Sequence, residues 1–84
     1  MAGSKIAVTG LGQCSLDMLG TLERYPAVDS KCLLDESLVQ GGGPVATALV
    51  TLQRLGVATA FIGRIGADDF GRRISVGLID EGVD

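Results

Sequence analysis

The stretch from residue 41 to residue 71 decides the fold of this chain. It opens with Gly41-Gly42-Gly43-Pro44-Val45-Ala46-Thr47-Ala48 and closes with Ile65-Gly66-Ala67-Asp68-Asp69-Phe70-Gly71. Proline suits the first position of a helix, because the N–H that it lacks would be unpaired there in any case. A helix is therefore predicted from Pro44, and the glycines before it leave bare backbone for a ligand at the helix start.

The residues after Pro44 carry the pattern of an amphipathic helix and then of a strand. Apolar side chains recur at helical spacing, at Val45, Ala48, Leu49, Leu52 and Leu55. Gly56 is the natural residue to end this helix, and a core strand is predicted over Ala58–Gly63. Asp68 or Asp69 is expected to cap a second helix. Its predicted inner face consists of Phe70, Ile74 and Leu78.

The first forty residues predict a strand, a loop and a flap. Lys5–Gly10 has the β-branched, glycine-ended pattern of a buried strand, and residues 11–20 are expected to form a loop. Lys31–Leu34 and Ser37–Gln40 are interpreted as two short strands of a small flap over about residues 21–40. The predicted order of elements is a strand, a flap, a helix, a strand and a helix. This order predicts parallel strands joined by a crossover, and hence an α/β layered fold.

Three polar residues are candidates for contact with a ligand. Asp17 follows the first predicted strand, and the carboxyl ends of parallel strands face the usual ligand crevice of α/β sheets. Its two oxygens can accept hydrogen bonds from two sugar hydroxyls. Thr47 can point its hydroxyl at the same ligand, and Arg64 can reach an anionic group. Each residue also has a purely structural alternative. Asp17 can be a solvated loop residue or a helix cap, and Thr47 can bond to the backbone of its own helix. For Arg64 the structural alternative, a solvated side chain, is favoured.

Composition excludes several classes of function. The chain has 84 residues, a net charge of −3 and no basic run, so no nucleic-acid binding is expected. No apolar stretch is long enough for a membrane span, and residues 1–10 do not resemble a signal peptide. Two cysteines without histidine indicate reduced thiols in a cytoplasmic protein rather than a metal site or a nucleophilic triad. A phosphate-binding loop of the type GxxxxGK[ST] is absent, and no catalytic residue is assigned.

Two alternatives from other classes remain open at this point. Gly10-Leu11-Gly12 resembles the start of a dinucleotide-binding fingerprint, although Ser15 stands where the third glycine belongs. The flap also suits a non-catalytic module that pairs with another chain through an unpaired strand edge. A homodimer that pairs through this flap, or lid, is one such arrangement.

Taken together, these motifs resemble the N-terminal part of the ribokinase-like, or PfkB, carbohydrate kinases. Three elements carry the resemblance: Val8-Thr9-Gly10-Leu11-Gly12 with Asp17, Gly41-Gly42-Gly43-Pro44 with Leu55-Gly56, and Ile62-Gly63-Arg64-Ile65 with the glycine-bracketed turn at 66–71. The resemblance implies a three-layer, Rossmann-like α/β sheet with a small β lid, of which residues 1–84 are the N-terminal, substrate-binding part.

The resemblance also implies the activity and the site. It implies transfer of phosphate from ATP, with Mg²⁺, to a hydroxyl of a sugar or nucleoside. Asp17 would hold substrate hydroxyls, Gly42 and Gly43 would present backbone to the sugar, and Ser15 would lie in the same pocket. The catalytic base, the anion hole and the nucleotide pocket of the family lie far toward the C-terminus, so this chain is expected to hold no catalytic, nucleotide-binding or metal-binding residue. The ending at Leu78–Asp84, where another strand would be expected, agrees with a partial domain.

Overall fold

The computed structural model describes residues 5–84. The prediction of no signal peptide over residues 1–10 therefore lies partly outside the described residues. The elements in chain order are β1 (Val8–Leu11), β2 (Ser15–Thr21), β3 (Glu36–Gly42), α1 (Pro44–Arg54), β4 (Thr59–Ile62) and α2 (Asp69–Asp80).

A parallel pair of strands, β1 and β4, forms the body, with Val8 opposite Thr59 and Leu11 opposite Ile62. Helix α1 is the crossover between them and packs on both, as the α/β prediction requires. On the free edge of β4, the Asp84 N–H donates to the Thr59 carbonyl at 3.0 Å and the Phe61 N–H donates to the Asp84 carbonyl at 2.9 Å. This is the hydrogen-bond pattern of a parallel neighbour, so β4 is paired on both sides.

Helix α1 has the predicted ends and part of the predicted apolar stripe, since Leu49 is buried and Val45 and Leu52 are half-buried. It begins at Pro44, and Gly56 follows with a φ of 92°, which glycine adopts without steric cost. Its fully buried residues are Ala46 and Leu49. The predicted inner position Leu55 is wrong, since it lies beyond the last helical residue and is 74% exposed. Ala48 is also exposed, because the residues that face the sheet lie on the Ala46 side of the helix.

Helix α2 begins at a capping aspartate. Asp68 is the residue that caps it, and its Oδ1 accepts a hydrogen bond from the Gly71 N–H at 2.8 Å. Ile74 and Leu78 are half-buried as predicted, whereas Phe70 remains half-exposed and is not part of an inner face. Phe70 is the second residue of α2 and is 51% exposed.

A second, antiparallel pair, β2 with β3, replaces the loop predicted for residues 11–20. That prediction is wrong, and so is the strand predicted over Lys31–Leu34: β3 pairs with β2, not with residues 31–34. Gly20 allows this arrangement, because the Leu34 side chain fills the space where a Cβ at position 20 would lie, within 2.6 Å. We call the β2–β3 pair the flap; residues 22–35 connect its two strands.

Candidate functional site

The register of the flap places the predicted polar residues on one face. Ser15 lies opposite Gly42, and Asp17 lies opposite Gln40. Residues directly opposite in an antiparallel pair share a face, as do residues two apart on one strand. Ser15, Asp17, Gln40 and the bare Cα of Gly42 therefore form one surface, which we call the polar face of the flap.

Asp17 is fixed at the root of this face by two contacts. The Ser15 hydroxyl donates to Asp17 Oδ1 at 2.7 Å, and both residues are half-buried. The carboxylate lies against Gly42, since a Cβ built on that glycine would be 2.7 Å from Asp17 Cγ and nearer still to Oδ2. Gly42 itself is buried. The absence of a side chain at position 42 is thus what makes room for the carboxylate, and the structure brings Ser15, Asp17 and Gly42 together.

Gly43 is required to be glycine by its own backbone conformation and by a close backbone neighbour, not by the carboxylate. Its φ is 93°, and a Cβ there would be 2.7 Å from the Cys14 Cα and 2.8 Å from the Gln13 carbonyl oxygen. The backbone of residues 13 and 14 therefore occupies the side of Gly43 that a side chain would take. The Ala46 N–H donates to the same Gln13 carbonyl at 3.3 Å, and the Thr47 N–H donates to the Gly43 carbonyl at 3.0 Å. The Thr47 bond is the first regular bond of the helix, whereas the Ala46 amide, which a helix start leaves free for a ligand, is bonded within the protein.

Thr47 is exposed on the first turn of α1. It borders a cleft of about 350 Å³ that separates the flap root from α1 and α2, and Ser15 and Gly42 border the same cleft. Asp17 lies outside this lining. Thr47 accepts at its carbonyl a hydrogen bond from the Thr51 hydroxyl at 2.9 Å. The structure therefore brings Thr47 to Ser15 and Gly42, but not to the carboxylate.

An ion pair closes the far end of this cleft. The Arg54 Nε on α1 donates to Glu81 Oε2, just after α2, at 2.8 Å, and a second, shorter contact joins the same groups. The hydrogen bond from Arg54 lowers the pKa of Glu81, and the same bond raises the pKa of Arg54. Both side chains remain exposed to solvent, at 69% and 30%, so the pair fixes the two helices at little energetic gain.

The second glycine-bracketed turn is explained by structure rather than by a ligand. Asp68 caps α2, as favoured, and Asp69 pairs with Arg73 at 3.2 Å and with Arg72. Gly71 is buried, and a Cβ on it would overlap the Gly66 carbonyl oxygen at 1.8 Å. Arg64 is exposed, and its carbonyl accepts the weak hydrogen bond of the Cys14 thiol at 3.7 Å. None of these contacts brings Arg64 to the polar face.

The dinucleotide alternative receives no support from the local structure. A fingerprint of that kind needs a helix to open directly after its glycines, whereas β2 begins at Ser15. Gly10 and Gly12 instead let α1 approach the sheet. A Cβ on either would come within 2.7 Å of the Val45 side chain. These glycines therefore serve helix packing.

Sequence reasoning missed Gln40 as a member of the polar face. The signal that points to it is the alternation of polar and apolar residues along β2, Ser15-Leu16-Asp17-Met18, which is typical of a half-exposed strand. Once that strand is paired with β3, Gln40 follows as the partner of Asp17. A larger hollow of about 930 Å³ lies near Thr59, Phe61 and the segment from Leu78 to Asp84, and it includes none of the predicted site residues.

Two features of residues 5–84 bear on other classes of protein. None of the helices described is long and apolar enough to cross a membrane. Nor do the described residues bring three or more histidine, cysteine or acidic side chains into one cluster suited to a metal ion.

Comparison with known proteins identifies the family. The profile of the pfkB family carbohydrate kinases matches residues 6–84. Fructokinase-1 of Zea mays is 32% identical over the whole chain, which spans 25% of that relative. The fructokinase structure of Halothermothrix orenii matches with a TM-score of 0.74 and 35% identity, over 92% of this chain and 26% of that one. The Arabidopsis thaliana ribokinase structure, complexed with ribose and ATP, matches with a TM-score of 0.76 and 26% identity, over 92% of this chain and 25% of that one.

The class defined by this fold is the ribokinase-like α/β class, of which the chain holds a parallel sheet, a crossover helix and a flap. Within that class, the chain belongs to the pfkB family of carbohydrate kinases. It spans about a quarter of the length of the relatives it matches. The resemblance drawn from the three sequence motifs is confirmed.

Proposed function

We propose that residues 1–84 are the N-terminal, substrate-binding part of an ATP-dependent sugar kinase, with the flap acting as its lid. The observation that carries the proposal is the contact of the Asp17 carboxylate with Ser15 and with the bare Cα of Gly42. An ionised carboxylate held in this way accepts hydrogen bonds from adjacent hydroxyls of a polyol. The relatives, which include a fructokinase and a ribokinase complexed with ribose and ATP, support a small sugar as the substrate and ATP as the donor.

Each site residue then has a defined role. Ser15 holds one carboxylate oxygen of Asp17, so that the other oxygen meets the sugar. Gly42 makes room for that carboxylate at the root of the flap, and Gly43 sets the backbone turn at the start of α1. Thr47 offers a hydroxyl from the first turn of α1. These residues bind and orient the sugar, which is the positioning on which phosphoryl transfer depends.

The donor side of the reaction belongs to another part of the protein. We place the catalytic base, the ATP site and the Mg²⁺ site outside this chain, as the resemblance to the family implies. Bound Mg²⁺ would neutralise phosphate charge during transfer. No step that involves the metal is therefore assigned to this chain.

A turnover assay tests this proposal. We expect the isolated 84-residue chain to release no ADP from ATP with any sugar of a hexose and pentose panel, whereas the complete protein that carries it releases ADP in a sugar-dependent manner. The measurement is coupled ADP detection on both preparations. Sugar-dependent ADP release by the isolated chain would show that the active site lies within it. The absence of any sugar-dependent release by the complete protein would overturn the kinase proposal.

We propose a second copy of this protein as the partner of the flap. Its supporting observation is the exposure of apolar side chains on the two-stranded flap and on the segment that connects its strands: Met18, on β2, is 64% exposed, and Leu33, in the connection, is 93% exposed. We expect Met18→Lys and Leu33→Lys each to shift the complete protein from dimer to monomer in sedimentation velocity. Asp80→Lys, on the exposed end of α2, is the control. Unchanged sedimentation of both flap variants would exclude the dimer through the lid.

The cellular setting is proposed on composition. A net charge of −3 and two free cysteines, Cys14 and Cys32, fit a cytoplasmic enzyme of small molecules that binds neither nucleic acid nor membrane.

A further inference from the structure

Gln40 stands directly across the flap from Asp17. The two residues are register partners on β3 and β2 and share the polar face. The Cβ atoms of such partners lie about 5 Å apart. A side chain at position 40 is therefore within reach of the ligand that Asp17 is proposed to hold. Gln40 is exposed, so its carboxamide is open to that ligand.

The two side chains have complementary chemistry. The carboxylate of Asp17 only accepts hydrogen bonds, and one of its oxygens is already bonded to the Ser15 hydroxyl. The carboxamide of Gln40 both donates and accepts. A polyol presents hydroxyls that can act in either sense. The carboxylate of Asp17 can bind hydroxyls that donate a hydrogen bond. The carboxamide of Gln40 can bind the neighbouring hydroxyl whether that hydroxyl donates or accepts.

The polar part of this face is short. The next register pair toward the tip is Leu19 with Leu38, and the pair toward the root is Ser15 with Gly42. Leu19 and Leu38 are both apolar and partly exposed, at 45% and 56%. A sugar at the root of the flap therefore meets three polar side chains, those of Ser15, Asp17 and Gln40, of which Gln40 is the one on β3.

We propose that Gln40 is a specificity-determining residue that hydrogen-bonds the sugar hydroxyl next to those held by Asp17. The inference rests on the proposed function, and it assigns the choice among sugars to a residue outside the glycine motif. The ligand that Gln40 and Asp17 would bind together is a polyol that carries at least three adjacent hydroxyls.

The test uses the complete protein, the sugar it phosphorylates and the set of monodeoxy analogues of that sugar. Gln40→Leu keeps the size of the side chain and removes both hydrogen-bonding groups. We expect it to raise KM for the parent sugar about tenfold. For one deoxy analogue, the one that lacks the hydroxyl read by Gln40, KM is expected to be the same in wild type and variant.

Two further variants make the outcome specific. Gln40→Met repeats the substitution with an unbranched side chain in case Gln40→Leu fails to fold. Ser37→Ala lies on the same strand but on the opposite face, across from Gly20, and is expected to leave every KM within about twofold of wild type. The proposal is overturned if the Gln40 variants raise KM equally for the parent sugar and all analogues, or change none. If the wild type phosphorylates no sugar, the proposed kinase function itself fails. Failure of the Gln40 proposal alone is distinguished from this, because the wild type then remains active.

Discussion

Asp17→Asn is expected to lower kcat/KM for the sugar about a thousandfold in the complete protein. The carboxylate is proposed to accept two hydrogen bonds from the substrate, and a hydrogen bond to a charged group contributes about 1.5–3 kcal/mol. Two such bonds correspond to about 3–6 kcal/mol, and every 1.4 kcal/mol is about tenfold. The amide keeps the shape of the side chain but presents an N–H₂ group where an acceptor is needed. Initial rates of ADP release over a range of sugar concentrations measure the effect.

A matched control separates this loss from a general effect of charge. Asp80 lies at the exposed end of α2, so Asp80→Asn removes the same charge away from the flap. We expect it to leave kcat/KM within about twofold of wild type. Thermal unfolding of both variants checks that each is folded. A loss of less than tenfold in folded Asp17→Asn would remove Asp17 from the role of substrate holder.

Local signals in the sequence were sufficient to predict the helices and the parallel strands. Pro44 marks the start of α1, Gly56 marks its end, and Asp68 caps α2. Each signal depends on backbone groups within a few residues, such as the N–H that proline lacks or the φ that glycine permits. Such signals do not depend on the rest of the fold, which explains why they could be interpreted without it.

The flap could not be predicted because its pairing is not local. β2 finds its partner about twenty residues later, in β3, and the segment between them offered a nearer but wrong partner over Lys31–Leu34. The polar contacts of the buried core could not be predicted either. Thr59, 1% exposed, donates through its N–H and its hydroxyl to the Gln53 carboxamide at 3.0 and 2.8 Å. Nothing in the local pattern indicates that these two polar residues meet inside the fold.

The site was predicted in part. The sequence placed Asp17 beside the glycine motif, and the structure brings the carboxylate to Gly42. The reason for Gly43 was not predictable, because it lies in the backbone of Gln13 and Cys14, which the flap brings alongside. Gln40 was overlooked for the same reason: its position opposite Asp17 depends on the register of a strand that had been assigned to a loop. The roles of these residues stay predictions until sugar binding is measured.

Gly42→Ala is expected to lower kcat/KM for the sugar about a hundredfold while leaving the protein folded. The new methyl group would come within 2.7 Å of Asp17 Cγ, so the carboxylate must move. A carboxylate at the end of a side chain can swing away at a cost of about 1 kcal/mol. Its hydrogen bond with Ser15 and its aim at the sugar are lost in that movement, and a displacement of about 1 Å at a reacting site can cost a hundredfold in rate.

The neighbouring glycine supplies the matched control. A Cβ on Gly41 meets nothing within 4 Å, and Gly41 is exposed on the opposite face of the flap. Gly41→Ala therefore adds the same methyl group to the same strand without touching Asp17. Sugar kinetics and urea unfolding of the two variants separate the effects: activity should fall only in Gly42→Ala, while the unfolding midpoints stay close together. Equal activity of the two variants would mean that position 42 is glycine for a reason other than the placement of the carboxylate.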